Sequence, residues 1–345
     1  MKLYITGATG LLGNNLLHAL KGLDYDIHLI LLEGDDESHL STFKYTPHYG
    51  DVRDYEFINH TITEHSYVIH MAGIVDISSD DKSLLYEVNV NGTKNIVDVC
   101  MKKNCKLIYT SSVHTIVPLK KKQVMVEPTT FNPDDIVGDY AKSKTIATGY
   151  VFKQMEKGLM ATIVYPSGII GEHDYKNSNT GKLILDIANK DIKVRTNGGY
   201  NFVDAKDVSY GIIEILKRDL FGETYILSGG SITIINIFKT INEYLGRTKY
   251  IPIIQTWFIK IFAGLAERYY RIRKQKPLFT AYSLYTITSN HNFSYEKAQR
   301  DLDYNPVSPE KVIIKTLLWF KNNKKELLKE EVFNKIEAKE GKKNV

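Results

Sequence analysis

Residues 5–15 read ITGATGLLGNN, with Gly7, Gly10 and Gly13 set between an apolar run, KLYIT (2–6), and a helix-length stretch, LLGNNLLHALKG (11–22). Glycine at such a junction permits strained dihedrals and lets backbone approach a pyrophosphate closely. The helix N-terminus behind it offers free N–H groups and partial positive charge. The Thr6 hydroxyl can brace the turn. Glycine triplets also mark ordinary tight turns, so the context decides. Here the triplet falls at the first strand-to-helix junction of a βαβ unit. The stretch therefore predicts dinucleotide binding by Thr6, Gly7, Gly10 and Gly13, with Leu11 and Leu12 at the helix start.

The same alternation continues outward from this loop. DIHLILL (26–32), DVRDYEFINHTI (51–62), YVIHMAG (67–73), SLLYEVNVNGTKNIVDVCMKK (83–103), KLIYTSS (106–112), a helical stretch near 140–157 and ATIVYP (161–166) follow in order. Strands that are apolar throughout, rather than at every second residue, belong to a parallel sheet covered on both faces. The expected class is α/β, a Rossmann-type doubly wound parallel sheet over residues 1–165, rejoined by about 201–228. After Pro166 the pattern becomes irregular, with loops at HDYKNSNTG (173–181) and TNGGYN (196–201). Residues 166–200 and 229–320 are read as a smaller, discontinuous C-terminal substrate region, while ETYILSG (223–229) is expected to return to the main sheet.

Composition is that of a soluble globular chain: 345 residues, 43% hydrophobic, 25% charged. Much of the formal charge of +5 sits in a Lys/Glu-rich tail, 321–345, with eight Lys against five Glu. A mixed-sign terminal run reads as a solvated, fraying helix rather than a nucleic-acid patch. Two cysteines, Cys100 and Cys105, make no disulfide framework, and the ten scattered His lack metal-site spacing. No metal, no nucleic acid and no membrane span are expected, and a reducing cytoplasm is the natural compartment.

Glu33 lies twenty residues after Gly13, at the end of the second apolar run. A carboxylate there accepts hydrogen bonds from the adenosine ribose and repels a 2′-phosphate, and LLEGDDES (31–38) holds no Arg. NAD is favoured, with NADP left open because Lys44 is within reach of a phosphate. In GDYAKSK (138–144), Tyr140 and Lys144 stand four apart and share a helix face. That spacing proves little alone in a chain with 23 Tyr.

Taken in order, these stretches resemble the extended short-chain dehydrogenases/reductases. TGATGLLG resembles the family's TGxxGxxG loop, GDVRD its adenine segment, HMAG the fourth-strand end, NVNGT the central-helix motif, TSS the catalytic serine strand, YAKSK the YxxxK motif and PSGIIG (166–171) the nicotinamide-side turn. The resemblance implies that Asp51 and Val52 flank the adenine, that Ala72 and Gly73 pass beneath the cofactor, and that Pro166 and Gly168 lie near the nicotinamide. It implies catalysis by Ser112, Tyr140 and Lys144, with Ser111 as the fallback serine, and structural roles for Asn89 and Asn91. A tyrosine that ordinarily ionises near ~10 must gain about 4 kcal/mol for its phenolate to act as a base near neutrality. One ammonium at ~4 Å, at an effective dielectric of ~20, supplies about that much.

FNPDDIVGDYAKSK, PSGIIGEHDY and FSYEKAQRDLDYNPVSPEKVI are similar to the dihydroflavonol reductase and 3β-hydroxysteroid dehydrogenase branch. That likeness implies interconversion of a ketone or aldehyde and an alcohol on a small apolar or aromatic substrate. The sugar-nucleotide epimerase/dehydratase branch carries an Arg where this chain has Tyr200. It remains the alternative reading, together with a non-catalytic dinucleotide-binding regulator. Asp207 is read as the cap of the helix that follows it, residues 256–275 as a lid, core helix or membrane-surface helix, and Lys120, Lys121 and Lys122 as solvated. Relatives often pair through the YxxxK helix, so a homodimer stays open, as do substrate identity and direction.

Overall fold

The computed structural model describes residues 1–75, 82–192, 195–248, 251–255 and 281–341. The 256–275 segment falls outside them. The apolar runs become strands β1 (Lys2–Thr6), β2 (Asp26–Leu31), β3 (Thr46–Tyr49), β4 (Tyr67–His70), β5 (Lys106–Thr110) and β6 (Ala161–Pro166). Strands β4 and β6 are buried along their whole length, as burial on both faces requires. With β9 (Thr224–Leu227) they form a seven-stranded sheet in the order β3-β2-β1-β4-β5-β6-β9, every pair parallel. ETYILSG thus rejoins the main sheet beside β6.

Helices cover both faces. On one, α1 (Leu11–Leu20) packs against α7 (Ala205–Arg218), with Leu16 and Ile212 fully buried. On the other lie α2 (Tyr55–Thr61), α4 (Thr93–Lys102) and α5 (Asp139–Met155), around Ile58, Ile96 and Val151. The short α3 (Lys82–Tyr86) leads to α4 through a π-helical turn, Glu87–Gly92. Strand order reverses between β1 and β4, and a cleft opens at the carboxyl ends of strands at such a switch point.

The substrate side has its own core. Strands β7 (Gly168–Ile170), β8 (Gly199–Asp204) and β10 (Gly230–Thr233) form a three-stranded sheet, packed with α6 (Asn179–Ala188), α8 (Ile234–Tyr244) and the helix Pro309–Asn323. The Lys/Glu-rich tail is not simply solvated up to residue 341. Val332 and Ile336, one turn apart on the helix Glu330–Gly341, are buried in this core.

Two further structural expectations change. The cap of α7 is Asp204, which accepts from the Lys206 N–H. Asp207 instead accepts the Val307 N–H at 2.7 Å, and burial pushes its carboxyl up to about 6. Among the described residues Asn91 bonds its helical neighbour Glu87 at the surface, whereas Asn89 ties the central helix to Ile74 and Ser143.

Beneath the glycine loop, a buried hydrogen-bond chain fixes its own polarity. Thr6 Oγ1 accepts the Met71 and Ala72 N–H groups, at 3.2 and 3.1 Å, so its proton goes to His70 Nδ1 at 2.8 Å. Thr93 Oγ1 donates to the Asn89 carbonyl at 2.7 Å and therefore accepts from His70 Nε2 at 3.0 Å. His70 is thus a neutral Nε2–H tautomer, and burial drives its pKa to about 3. Because that lies below the ordinary ~6.5, the unfolded chain binds the proton more readily, so this contribution to stability is present above pH ~6.5 and lost as pH falls toward ~3. His70→Phe should lower stability at neutral pH by about 2 kcal/mol or more. Denaturant melts across this pH range should also show a shallower loss on acidification than wild type, though not none, because buried His114 is shifted in the same direction.

Candidate active site

The cleft at the switch point is a cavity of about 970 Å³. Its floor is the glycine loop, and its shape requires the glycines. Gly7 has φ +75, and a Cβ there would sit 2.7 Å from the Ala72 backbone nitrogen. At Gly13 a Cβ would meet the Gly7 carbonyl oxygen at 2.3 Å, so only glycine lets α1 start this close to the loop. No acidic side chain stands in the first turn of α1 and no side chain caps it. Its first N–H groups and its positive end face the cleft, as a pyrophosphate would need. The residues present therefore fit a nicotinamide dinucleotide. Every residue assigned to cofactor or catalysis from sequence lines this cavity except Thr6, which braces it from below, and Glu33.

The catalytic candidates converge from two elements. Helix α5 starts after Gly138, whose φ of +95 brings the backbone against Tyr282, where a Cβ would lie 2.1 Å from the ring. One turn along, Lys144 is buried, with its Nζ donating to the Thr110 carbonyl at 2.7 Å and lying 4.6 Å over the Tyr109 ring. The end of β5 delivers both serines. Thr148 Oγ1 donates to the Lys144 carbonyl and so takes the Ser111 proton at 2.6 Å, which keeps Ser111 occupied behind the site. Ser112 Oγ instead accepts the His114 N–H at 3.3 Å and lies close enough to Tyr140 to favour its phenolate.

Electrostatics here run against the simple attraction expected from spacing. Burial raises the Tyr140 phenol above its ordinary value, with Lys144 and Ser112 pulling it down by less. Burial likewise lowers Lys144 to about 8, against the opposing pull of Tyr140. The i,i+4 spacing carries the Coulomb attraction between the pair, whereas the desolvation of both charges comes from the fold.

At the adenosine end, Arg53 grips Asp51 at 2.6 Å and holds its carboxyl below the usual range. Glu33 is exposed and is not among the residues that line the cavity. After Leu31 the chain turns, Asp35 N–H donating to the Leu32 carbonyl at 3.1 Å, and the carboxylate that reaches the cleft is Asp35. The acidic run contained this residue, but only the turn selects it. His114, Tyr282 and Lys176 also line the cleft and carry no motif signal. His114 lies edge-on to Tyr140 at 6.1 Å between ring centroids, with Nδ1 3.4 Å from the Tyr282 hydroxyl. Burial lowers its pKa to about 4, so the imidazole is neutral. Among the described residues no cluster of His, Cys, Asp or Glu forms a metal site, and no helix is long and apolar enough to cross a membrane.

Comparison with known proteins agrees with this geometry. The model of the 3-beta hydroxysteroid dehydrogenase/isomerase family matches residues 4–214. The chain is 26% identical over 324 residues to sterol demethylase protein B of Methylococcus capsulatus, covering 93% of this chain and 98% of that protein. It is 23% identical over 315 residues to the decarboxylating sterol-4-alpha-carboxylate 3-dehydrogenase of Dictyostelium discoideum, covering 87% and 95%. Among solved structures, gox2253 superposes with a TM-score of 0.83 at 26% identity, covering 95% of this chain and 99% of that one. The dTDP-glucose 4,6-dehydratase of Bacillus anthracis, solved with NAD, shares the fold with a TM-score of 0.72 at 18% identity over 95% and 99%. The chain belongs to the 3-beta hydroxysteroid dehydrogenase/isomerase family, within the extended short-chain dehydrogenases/reductases, and is a nicotinamide-dinucleotide-dependent enzyme acting on CH–OH groups.

Proposed function

We propose that this protein interconverts a secondary alcohol and its ketone on an apolar, ring-fused substrate of the sterol class, with NAD as its cofactor. The observation that carries this reading is the wall beyond Tyr140. Ile116, Pro118, Met125, Ile136, Val137 and Phe202 line the cleft there, and Tyr200 lines it where the sugar-nucleotide branch has its Arg. An apolar chamber with few polar groups suits a sterol ring system, and two relatives are named for sterol chemistry. Asp35 at the adenosine end supports NAD over NADP, since a carboxylate repels a 2′-phosphate. The two thiols, both buried and free, support a reducing, cytoplasmic setting.

The substrate hydroxyl fits between the Tyr140 and Ser112 hydroxyls. Bound nicotinamide supplies the hydride acceptor or donor at the carbinol carbon. Tyr140 takes the alcohol proton in oxidation and returns it in reduction. Ser112 donates to the reacting oxygen as charge develops on it. The Lys144 ammonium, held by the Thr110 carbonyl, offsets part of the cost of a buried phenolate and can also donate to a cofactor hydroxyl.

Purified protein with NAD and a 3β-hydroxysteroid should accumulate reduced nicotinamide, and UDP-hexoses should neither turn over nor compete. The opposite pattern would sink the sterol reading in favour of an epimerase or dehydratase. Tyr140→Phe should lower kcat about 10²- to 10⁴-fold while leaving NADH binding within about twofold in a fluorescence titration. A further test follows from Lys144. Its ammonium predominates below about 8, so NADH affinity should fall as pH rises through about 8. Lys144→Met should bind more weakly at lower pH and lose that pH dependence.

A further inference from the structure

The segment after β7 crosses from the substrate side onto the cofactor half of the cleft and is held there firmly. Asn15 Nδ2 donates to the Glu172 carbonyl at 2.8 Å, His173 stacks on His18 at 3.8 Å, and Tyr175 stacks on His39 at 4.5 Å. Lys324 Nζ donates to the Tyr175 carbonyl at 2.5 Å. This pinning places Lys176 beside the glycine loop, 141 residues in sequence from its partner Asp35. Its Nζ donates to Thr9 Oγ1 at 2.8 Å and to Asp35 Oδ1 at 2.9 Å. Thr9 in turn donates to Asp35 Oδ2 at 2.8 Å, so its oxygen is free to accept from the lysine. Thr9 sits between Gly7 and Gly10, and all three members of the triad line the cleft.

An ammonium has three N–H donors, and among the described residues this one uses two. We propose that Lys176 is a cofactor-binding residue, a cation delivered by the substrate-side loop that donates to the diphosphate of the dinucleotide where it crosses the glycine loop, while Asp35 faces the adenosine ribose. The assignment rests on dinucleotide binding and not on the identity of the sterol. The carboxylate keeps the ammonium oriented and prevents the loop from carrying a bare cation. It also places a negative charge beside the diphosphate, which the lysine offsets. Cofactor affinity is thereby tied to the packing of the substrate region, because the lysine reaches the loop only while the 171–178 segment lies on α1. Lys44, the phosphate candidate offered by the sequence, is exposed and outside the cleft lining.

The test is equilibrium binding of NADH, ADP-ribose and nicotinamide mononucleotide to the full chain and to its Lys176→Met, Lys176→Gln and Lys176→Arg variants, by fluorescence and calorimetry, with thermal melts to verify folding. Loss of a charge-assisted hydrogen bond should weaken NADH and ADP-ribose about tenfold or more in the Met and Gln variants. Binding of the mononucleotide, which lacks the diphosphate, should change less than twofold, and Lys176→Arg should recover most of the loss. Raising salt should weaken wild-type binding more than that of Lys176→Met. Unchanged or tighter NADH binding in folded Met and Gln variants would overturn the proposal and make the Lys176–Asp35 pair a strut that closes the cleft. Wild-type protein that binds no dinucleotide would overturn the reading beneath it instead.

Discussion

The Thr6 hydroxyl holds together what would otherwise be two separate sites. It accepts two N–H bonds from the end of β4 and passes its own proton to His70. From there His70 donates to Thr93 and Thr93 to the Asn89 backbone carbonyl, while the Asn89 side chain, its Oδ1 held by the Ile74 N–H, donates to Ser143 at 3.0 Å and Ser143 to the Tyr140 carbonyl at 2.8 Å. Asn89 completes its inventory by exchanging two hydrogen bonds with the Ile74 backbone. A buried polar group left unpaired costs far more than a pair yields, so the chain has one satisfied arrangement. That arrangement fixes the phosphate loop, the floor at Ala72 and the start of the catalytic helix relative to one another. The π-helical turn at Glu87–Gly92 belongs to the same device, since it carries Asn89 to both Ile74 and Ser143.

The site built on this frame is electrostatically tense. Burial disfavours both the Tyr140 phenolate and the Lys144 ammonium, and each partly rescues the other. The Thr110 carbonyl and the Tyr109 ring are the protein groups that favour the ammonium. A pair poised this way responds strongly to another charge or to a change in solvation, as perturbed groups in functional clefts do. Ser111 is bonded to Thr148 on the helix, which leaves Ser112 as the serine available for the proposed reaction.

Features governed by local sequence were readable before the fold was known. The glycine junction, the continuous apolar strands and the Tyr140–Lys144 face each depend on neighbours within a few residues, and they led to the parallel sheet and the line of the cleft. What escaped depends on distant or three-dimensional facts. Glu33 had the right spacing, but the turn at Leu32–Asp35 sends Asp35 into the cleft instead. Asp207 looked like a cap, yet Asp204 one residue before the helix holds that place and Asp207 tethers Val307. Lys176 has no motif at all, and only tertiary packing of the 171–178 segment on α1 brings it to the glycine loop. The direction of the Tyr140 shift was missed for the same reason, because burial is a property of the fold and not of the i,i+4 spacing.

In the proposed reaction hydride leaves a substrate carbinol carbon for the nicotinamide and departs with it, while Tyr140 handles the proton. It is tested most directly by following a deuterium placed on the carbinol carbon of a 3β-hydroxysteroid through one turnover with NAD, by NMR and mass spectrometry. One deuterium is expected at C4 of the released NADH, with a ketone product free of label at the former carbinol carbon. Deuterium lost to solvent, or returned to the same carbon with inverted configuration and no NADH released, would contradict it.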